Sequence, residues 1–217
     1  MAMPDTILDK LREKSISRDE LAKIIINDPS MIPQIIEGVS NEKANVRYGC
    51  ATSLKIVSER KPELLYPYFD FFAGLLISKY RILVWIGIIV VANLSAYDHK
   101  KKFDKIFDKY FRLINADYMV TVSNLVGNSG RIAVTKPYLA DRITTELLKV
   151  DNIKTGKHLT PECKRIIAEN AIRSFDMYFN EIRDKQAVIS FVKARLKSRR
   201  KTLKNTANEF LKKWNVS

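Results

Sequence analysis

Apolar residues recur along most of the chain at spacings of three and four, which is the period of an amphipathic α-helix. The spacing is clearest in the segment 100–114, where lysines and aspartates separate the members of one apolar stripe. We interpret this stripe as the core-facing side of a helix rather than as an aromatic binding cage. Its members are Phe103, Ile106, Phe107, Tyr110, Phe111 and Ile114.

The predicted helices alternate between a moderately amphipathic segment and a more apolar one, with short polar turns between them. Their first members begin 31 to 48 residues apart, around the roughly 40–47 residues of two-helix solenoid repeats. The pattern therefore predicts an all-α protein built from helix pairs. The predicted pairs are 31–39 with 46–60, 62–77 with 81–98, 100–114 with 117–134, 137–150 with 161–179, and 185–197 with 200–214.

Local signals mark several of these helix starts. Ser17 and Glu20 have the spacing of a capping box, and Thr160 precedes a predicted helix as an N-cap. Proline is favoured in a first helical turn because its missing N–H would be unpaired there anyway. It stands at three predicted starts, Pro62, Pro137 and Pro161.

The most apolar stretch is a run of eleven residues without a polar side chain, Ile82–Ala92. A membrane span needs about 20 predominantly apolar residues, so this run is too short. It also lacks the glycine and proline punctuation expected around a buried strand. We interpret it as a helix in a middle repeat that is apolar nearly all round, which predicts a deeply buried Trp85.

Other residue types exclude several classes of protein. Cys50 and Cys163 lie far apart without a CxxC motif, so we expect two buried thiols and neither a disulfide framework nor a zinc site. His99 and His158 lie in polar loops with no partner at metal-ligand spacing, so we expect no cofactor. The charged N-terminal segment does not resemble a signal peptide. These features predict a cytoplasmic protein that does not bind membranes.

The net charge of +14 is concentrated in the second half, because residues 101–217 hold 25 Lys and Arg against 12 Asp and Glu. Residues 185–208 hold eight basic residues and no acid, within a predicted helix pair at 185–214. Such a face can bind phosphates or an acidic protein, although it can also be only a solvated cap. The candidate binding residues are Lys193, Arg195, Lys197, Arg199, Arg200, Lys201 and Lys204, with Lys157, Lys164, Arg165 and Arg173 as a possible extension.

One segment resembles the second helix of a HEAT repeat, in which a polar turn residue, Val-Arg, a small residue and Leu follow one another. The matching residues are Asn45, Val46, Arg47, Cys50, Ala51 and Leu54. The resemblance implies a HEAT-like or armadillo-type solenoid, a right-handed α–α superhelix of about four to five antiparallel helix pairs. It also implies one helical-repeat domain over residues 1–217. Most proteins of this type are scaffolds, and a minority are alkylpurine DNA glycosylases.

The leading hypothesis is a non-enzymatic scaffold that binds protein or nucleic acid through its basic second half. A DNA glycosylase is the first alternative, and it needs a carboxylate beside aromatic rings. For that role Asp176 is the best acid, whereas Trp85 and Trp214 are expected in the core. A neutral adaptor is the second alternative, with the loop SNEKAN and exposed tyrosines of YPYF as its contacts.

The tetrapeptide GNSG at 127–130 superficially matches the nucleotide-clamping loop of KH domains. That domain requires flanking strands, whereas here the neighbouring segments SNLV and RIAV are helical in pattern. We interpret GNSG as a helix kink or a close contact between helices.

Overall fold

A computed structural model describes residues 7–216, and within them the fold is all-α. The described part contains no strand, only an isolated antiparallel bridge between Gly156 and Leu159. Short 3-10 turns precede or extend many of the helices. The helices are α1 (Ile7–Glu13), α2 (Arg18–Asn27), α3 (Ile32–Gly38), α4 (Ala44–Arg60), α5 (Pro62–Leu65), α6 (Phe69–Leu75), α7 (Arg81–Leu94), α8 (Lys102–Phe111), α9 (Met119–Thr135), α10 (Ala140–Leu148), α11 (Pro161–Tyr178), α12 (Lys185–Ala194) and α13 (Lys201–Lys213).

The predicted helix pairs are confirmed, and most of their boundaries agree with the structure to within a few residues. The pairs are α3 with α4, α5 and α6 with α7, α8 and its 3-10 extension Arg112–Asn115 with α9, α10 with α11, and α12 with α13. The main difference lies in the first member of the second pair. There a 3-10 turn at Tyr66–Tyr68 divides the predicted helix into α5 and α6, because Pro67 cannot donate a backbone hydrogen bond.

The chain divides into two compact units, which meet in sequence between Lys102 and Phe103. In the first unit α4 packs against α2, α3 and α7, and α6 packs against α7. Side chains fix these helices to one another: Asn45 donates to the carbonyl of Arg12 at 2.7 Å, and Ser53 donates to that of Arg18 at 2.9 Å. The prediction of a single domain over residues 1–217 stays a prediction.

In the second unit α11 packs against both α9 and α13, and α12 also packs against α13. Ser174 donates to the backbone carbonyl of Val126 at 2.6 Å, which ties α11 to α9. Gly130 lies at the same contact, where an added Cβ would be 2.9 Å from the carbonyl oxygen of Ser174. The tetrapeptide GNSG thus lies inside α9 and contacts α11 closely at Gly130, which confirms its interpretation as a close contact between helices.

Several local signals are confirmed as caps. The backbone N–H of Glu20 donates to Ser17 Oγ at 3.1 Å, and that of Ser17 donates to the Glu20 carboxylate at 2.9 Å. Thr160 Oγ1 accepts from the N–H of Cys163 at 3.3 Å and caps α11. Arg47, from the HEAT-like segment, is buried and donates to the carbonyls of Asn41 and Glu42, so it fastens the turn before α4.

The prediction of a deeply buried Trp85 is wrong, because this side chain is only half-buried. It lies on a helical stripe of α7 with Ile82, which is 38% exposed, and with the half-buried Ile89 and Asn93. The other faces of α7 are buried. The physical reason is that the neighbouring helices cover only part of the apolar surface of α7, so that one apolar stripe stays partly exposed. The hydrophobicity of a residue alone does not determine its burial.

Two further expectations about exposure are corrected. Cys163 is half-buried rather than buried, because it lies in the first, more open turn of α11, whereas Cys50 is buried as expected. The tyrosines of YPYF are not exposed: Tyr66 is buried and Tyr68 is half-buried. None of the helices among residues 7–216 has both the length and the hydrophobicity of a membrane span. Residues 1–6 of the charged N-terminal segment, which was compared with a signal peptide, lie outside the described residues.

Candidate binding site

The structure separates the eleven predicted binding residues into two sets. Six are both exposed and unpaired, since within the described part of the chain their charged groups have no hydrogen-bond or ion-pair partner. We call them the exposed basic set. They are Lys157, Lys193, Lys197, Arg199, Lys201 and Lys204.

The charged groups of the other five residues bind carboxylates or backbone carbonyls, some on the same helix and some on a neighbouring element. Arg200, at the start of α13, donates to Glu162 at 2.6 Å and to Glu169 at 3.2 Å, both on α11. Arg165 and Arg173 pair with the same two glutamates along α11. Arg200 therefore docks the start of α13 on α11, and all three arginines have carboxylate partners that the sequence block does not show.

Glu169 lies at the centre of this network with a side chain that is 11% exposed. Burial alone raises the pKa of Glu169, but hydrogen bonds from Arg173, Thr202 and Arg200 outweigh it and hold the pKa below its ordinary value. Hydrogen bonds from Arg200 and then Arg165 likewise lower the pKa of Glu162. Both carboxylates are therefore charged near neutral pH.

Arg195 is largely enclosed, with a side chain that is 11% exposed. Its guanidinium lies 3.4 Å from the centroid of the Phe191 ring, donates to the Phe191 carbonyl at 2.8 Å, and pairs with the Asp151 carboxylate. Lys164 donates to the backbone carbonyl of Asp151 at 2.5 Å. Asp151 therefore connects the loop before α11 to the end of α12.

A groove of about 290 Å³ lies where the first turns of α11 meet the turn between α12 and α13. We call it the C-terminal groove. It brings together three of the predicted cations with small and apolar side chains. Its lining residues are Thr155, Pro161, Lys164, Arg165, Ala168, Ala194, Arg195, Ser198 and Leu203.

Sequence reasoning missed the three acids that pair with the predicted cations, Asp151, Glu162 and Glu169. The block 185–208 lacks acids in sequence, but packing of α13 on α11 supplies them in space. One signal was available: Glu162 and Glu169 each precede an arginine by three or four residues on the same helix, which is the spacing of an intrahelical ion pair. The small lining residues of the groove carry no comparable signal.

A second cleft, of about 300 Å³, lies between α11 and α13 and contains Asp176. Here the prediction about Trp214 needs correction, because its side chain is half-buried and its indole N–H donates to Asp176 at 2.8 Å. Lys213 donates to the other carboxylate oxygen at 2.9 Å. The best candidate acid is thus beside an aromatic ring, but both of its oxygens accept hydrogen bonds.

A third cleft, of about 440 Å³, lies between the loop before α9 and the loop 152–159. His158 is exposed there and stacks on Tyr118, with 4.8 Å between the ring centroids. Across residues 7–216, no three His, Cys, Asp or Glu side chains are grouped so that they could hold a metal ion.

Comparison with known proteins adds information on the fold. No protein-family model matches the sequence, and no curated protein matches it. In structure the chain is similar to a designed armadillo repeat protein, YIII(Dq)4CqI, with a TM-score of 0.63 and 13% sequence identity. The match covers 97% of this chain and 95% of the designed one. The chain therefore has an all-α solenoid fold of the armadillo and HEAT type.

Proposed function

We propose that this protein is a non-enzymatic binding module that holds an acidic surface of another protein against its basic C-terminal region. The observation that carries the proposal is the exposed basic set, most of which lies within the twelve residues 193–204. Helical-repeat folds also provide extended surfaces for macromolecular partners. Clustered lysines attract an acidic partner and speed its association.

The pairing of the arginines favours an acidic protein over nucleic acid. Arginine suits phosphate recognition because its guanidinium can bind two oxygens at once. Four of the five candidate arginines already bind carboxylates, and Arg199 is the exception.

The test is a salt titration of binding with three fluorescent probes of twenty units: poly-glutamate, duplex DNA and single-stranded RNA. We expect poly-glutamate to bind at low salt and to weaken as salt screens the charges. Exchanging Lys193, Lys197, Lys201 and Lys204 for Gln should reduce this binding at least about tenfold, which corresponds to about 1.4 kcal/mol.

The matched control exchanges four exposed lysines of the first unit for Gln: Lys14, Lys43, Lys79 and Lys100. It removes the same charge and should weaken binding less than about threefold. An equal loss in both variants would contradict the proposed location. Tighter binding of DNA or RNA than of poly-glutamate at about 150 mM salt would overturn the choice of an acidic protein as partner.

The proposal also treats the protein as a binder without glycosylase activity. The hydrogen bonds of Asp176 support this part of the proposal. Its carboxylate accepts from Lys213 and Trp214 and is therefore poorly placed to act on a flipped base. We expect no release of base from duplex DNA that contains 7-methylguanine, measured by chromatography against a protein-free sample. Release that Asp176→Asn abolishes would establish the glycosylase alternative instead.

The neutral adaptor receives less support from the first unit. Tyr66 is buried, and its hydroxyl donates to Asp98 at 2.8 Å, so this tyrosine is not available as a contact. The loop SNEKAN is partly tied to Arg47, which donates to the carbonyls of Asn41 and Glu42. For these reasons the basic C-terminal region is the site that we propose.

A further inference from the structure

We propose that the C-terminal groove binds an extended acidic segment of the partner protein, with carboxylates on the groove's cations and small apolar side chains inside it. This inference rests on the proposed function and gives it a defined place and ligand chemistry. It differs from general attraction by the exposed basic set, because it requires shape and apolar contact as well as charge.

The lining has the two kinds of surface that such a segment needs. Ala168 and Leu203 are buried and form the apolar base of the groove, and Pro161 and Ala194 are exposed at its sides. The volume of about 290 Å³ is near the lower end of the range of small-molecule sites, roughly 300 to 1,000 Å³. It therefore suits a few small side chains rather than a folded surface.

The cations at the groove are held in place before any ligand arrives. The Phe191 ring and carbonyl and the Asp151 carboxylate fix the guanidinium of Arg195, which uses two of its five N–H groups for these hydrogen bonds. Three N–H groups are left for an incoming carboxylate. Arg165 is bound by Glu162 at a single 2.8 Å contact, so it can share its charge in the same way. Immobilised cations reduce the entropy lost on binding.

An extended peptide can supply both kinds of side chain over a short length, because it spans about 3.3 Å per residue. Alternating glutamate and alanine would offer carboxylates to Arg165 and Arg195 and methyl groups to Ala168 and Leu203. We therefore use a fluorescein-labelled twelve-residue peptide of alternating Glu and Ala as the probe. A twelve-residue poly-glutamate has more charge but no apolar side chains, and serves as its comparison.

The first experiment fills the groove. Ala194 is exposed at the end of α12, so Ala194→Trp should fold and occupy the space between α11 and α12. We expect fluorescence anisotropy to show at least about tenfold weaker binding of the Glu-Ala peptide. Ala96→Trp, at an exposed alanine of the first unit, is the matched control and should change binding less than about twofold. Equal binding by the two variants would overturn the inference.

The second experiment changes charge without filling space. Asp151→Asn removes the acid that competes for Arg195, whereas the Phe191 ring and carbonyl still hold the guanidinium in place. Binding of the Glu-Ala peptide should therefore strengthen about two- to fivefold, the effect of a partly exposed ion pair. Asp176→Asn makes the same change in net charge outside the groove and should have less than half that effect. An equal gain in both variants would show general attraction and would contradict a defined site.

These outcomes separate the inference from the proposed function. If neither Ala194→Trp nor Asp151→Asn alters binding while the four-lysine variant weakens it, the proposed function stands and the groove is not the site. If the unchanged protein binds neither peptide, the proposed function fails and the inference fails with it. Binding of duplex DNA that Ala194→Trp weakens would assign the groove to nucleic acid and overturn the choice of ligand.

Discussion

Gly130 lies at a close approach of α9 to α11, and it is the most crowded glycine in the described part of the second unit. A Cβ at this position would lie 2.8 Å from Met177 Sδ and 2.9 Å from the carbonyl oxygen of Ser174. The methionine can move, but the backbone of α11 cannot move without separating the helices. Gly130→Ala should therefore lower the free energy of unfolding by about 1–3 kcal/mol, the usual cost of overpacking, in urea titrations.

Gly127 provides the control on the same helix. It is exposed, and an added Cβ would be 3.9 Å from its nearest neighbour, Asn170. Gly127→Ala should raise the free energy of unfolding by about 0.5–1 kcal/mol, because alanine loses less conformational entropy in a helix. Similar effects of the two substitutions would contradict the close contact at Gly130.

The hydroxyl of Tyr66 contributes to stability through buried hydrogen bonds. It donates to Asp98 at 2.8 Å and accepts the N–H of Lys100 at 3.2 Å. Tyr66→Phe removes one of the donors to a buried carboxylate and should lower the free energy of unfolding by about 1–3 kcal/mol. Tyr68→Phe, at a half-buried tyrosine two residues away, should change it by less than about 0.5 kcal/mol. Urea unfolding of both variants measures the difference.

At the scale of elements, α13 docks on α11 through a polar and an aromatic contact. The polar one joins Glu169 to Arg200 and Thr202, the latter at 2.8 Å. The aromatic one joins Phe179 to Phe210 and Trp214, with centroids 5.0 and 4.9 Å apart. Because these two contacts join α13 to α11, the loss of either one should loosen α13 locally.

The lowered pKa of Glu169 makes the polar contact dependent on pH. A carboxyl group with a lower pKa in the folded state stabilises that state above its ordinary pKa of 4.5, and the contribution is lost as the pH falls through the folded-state value. Glu169→Gln should cost about 1–3 kcal/mol at pH 7. The cost should shrink as the pH falls below 4.5. Urea unfolding of both proteins at pH 7 and near pH 3 tests this, and a constant difference would contradict it.

Helix boundaries were predictable where local chemistry defines them. Ser17 with Glu20, and Thr160 before Pro161, mark their helix starts with short-range hydrogen bonds that the sequence shows directly. Exposure was less predictable, as Trp85 demonstrates, because the number of neighbours around a helix depends on tertiary packing. The pairing of Arg200 with two glutamates on α11 was not predictable either, since 31 and 38 residues separate the partners.

At the scale of the whole molecule, the net charge of +14 is itself a source of instability. Like charges repel in the folded chain, and salt reduces the repulsion within a Debye length of about 8–10 Å at physiological strength. Salt also weakens ion pairs, but the exposed ones contribute little, about 0.2–1 kcal/mol each. We therefore expect repulsion to dominate the response of the protein to salt.

The corresponding prediction is that the melting temperature rises when NaCl is raised from about 20 to 200 mM. The variant with Gln at Lys193, Lys197, Lys201 and Lys204 should show a smaller rise, because these lysines fall within twelve residues of the sequence and have no acidic partner among residues 7–216. The four-lysine control of the first unit should respond more like the unchanged protein, since that half is nearly neutral. Differential scanning calorimetry measures all three. A melting temperature that falls with salt would mean that the ion pairs between α11 and α13 outweigh the repulsion, and that the basic C-terminal region is electrostatically satisfied without a partner.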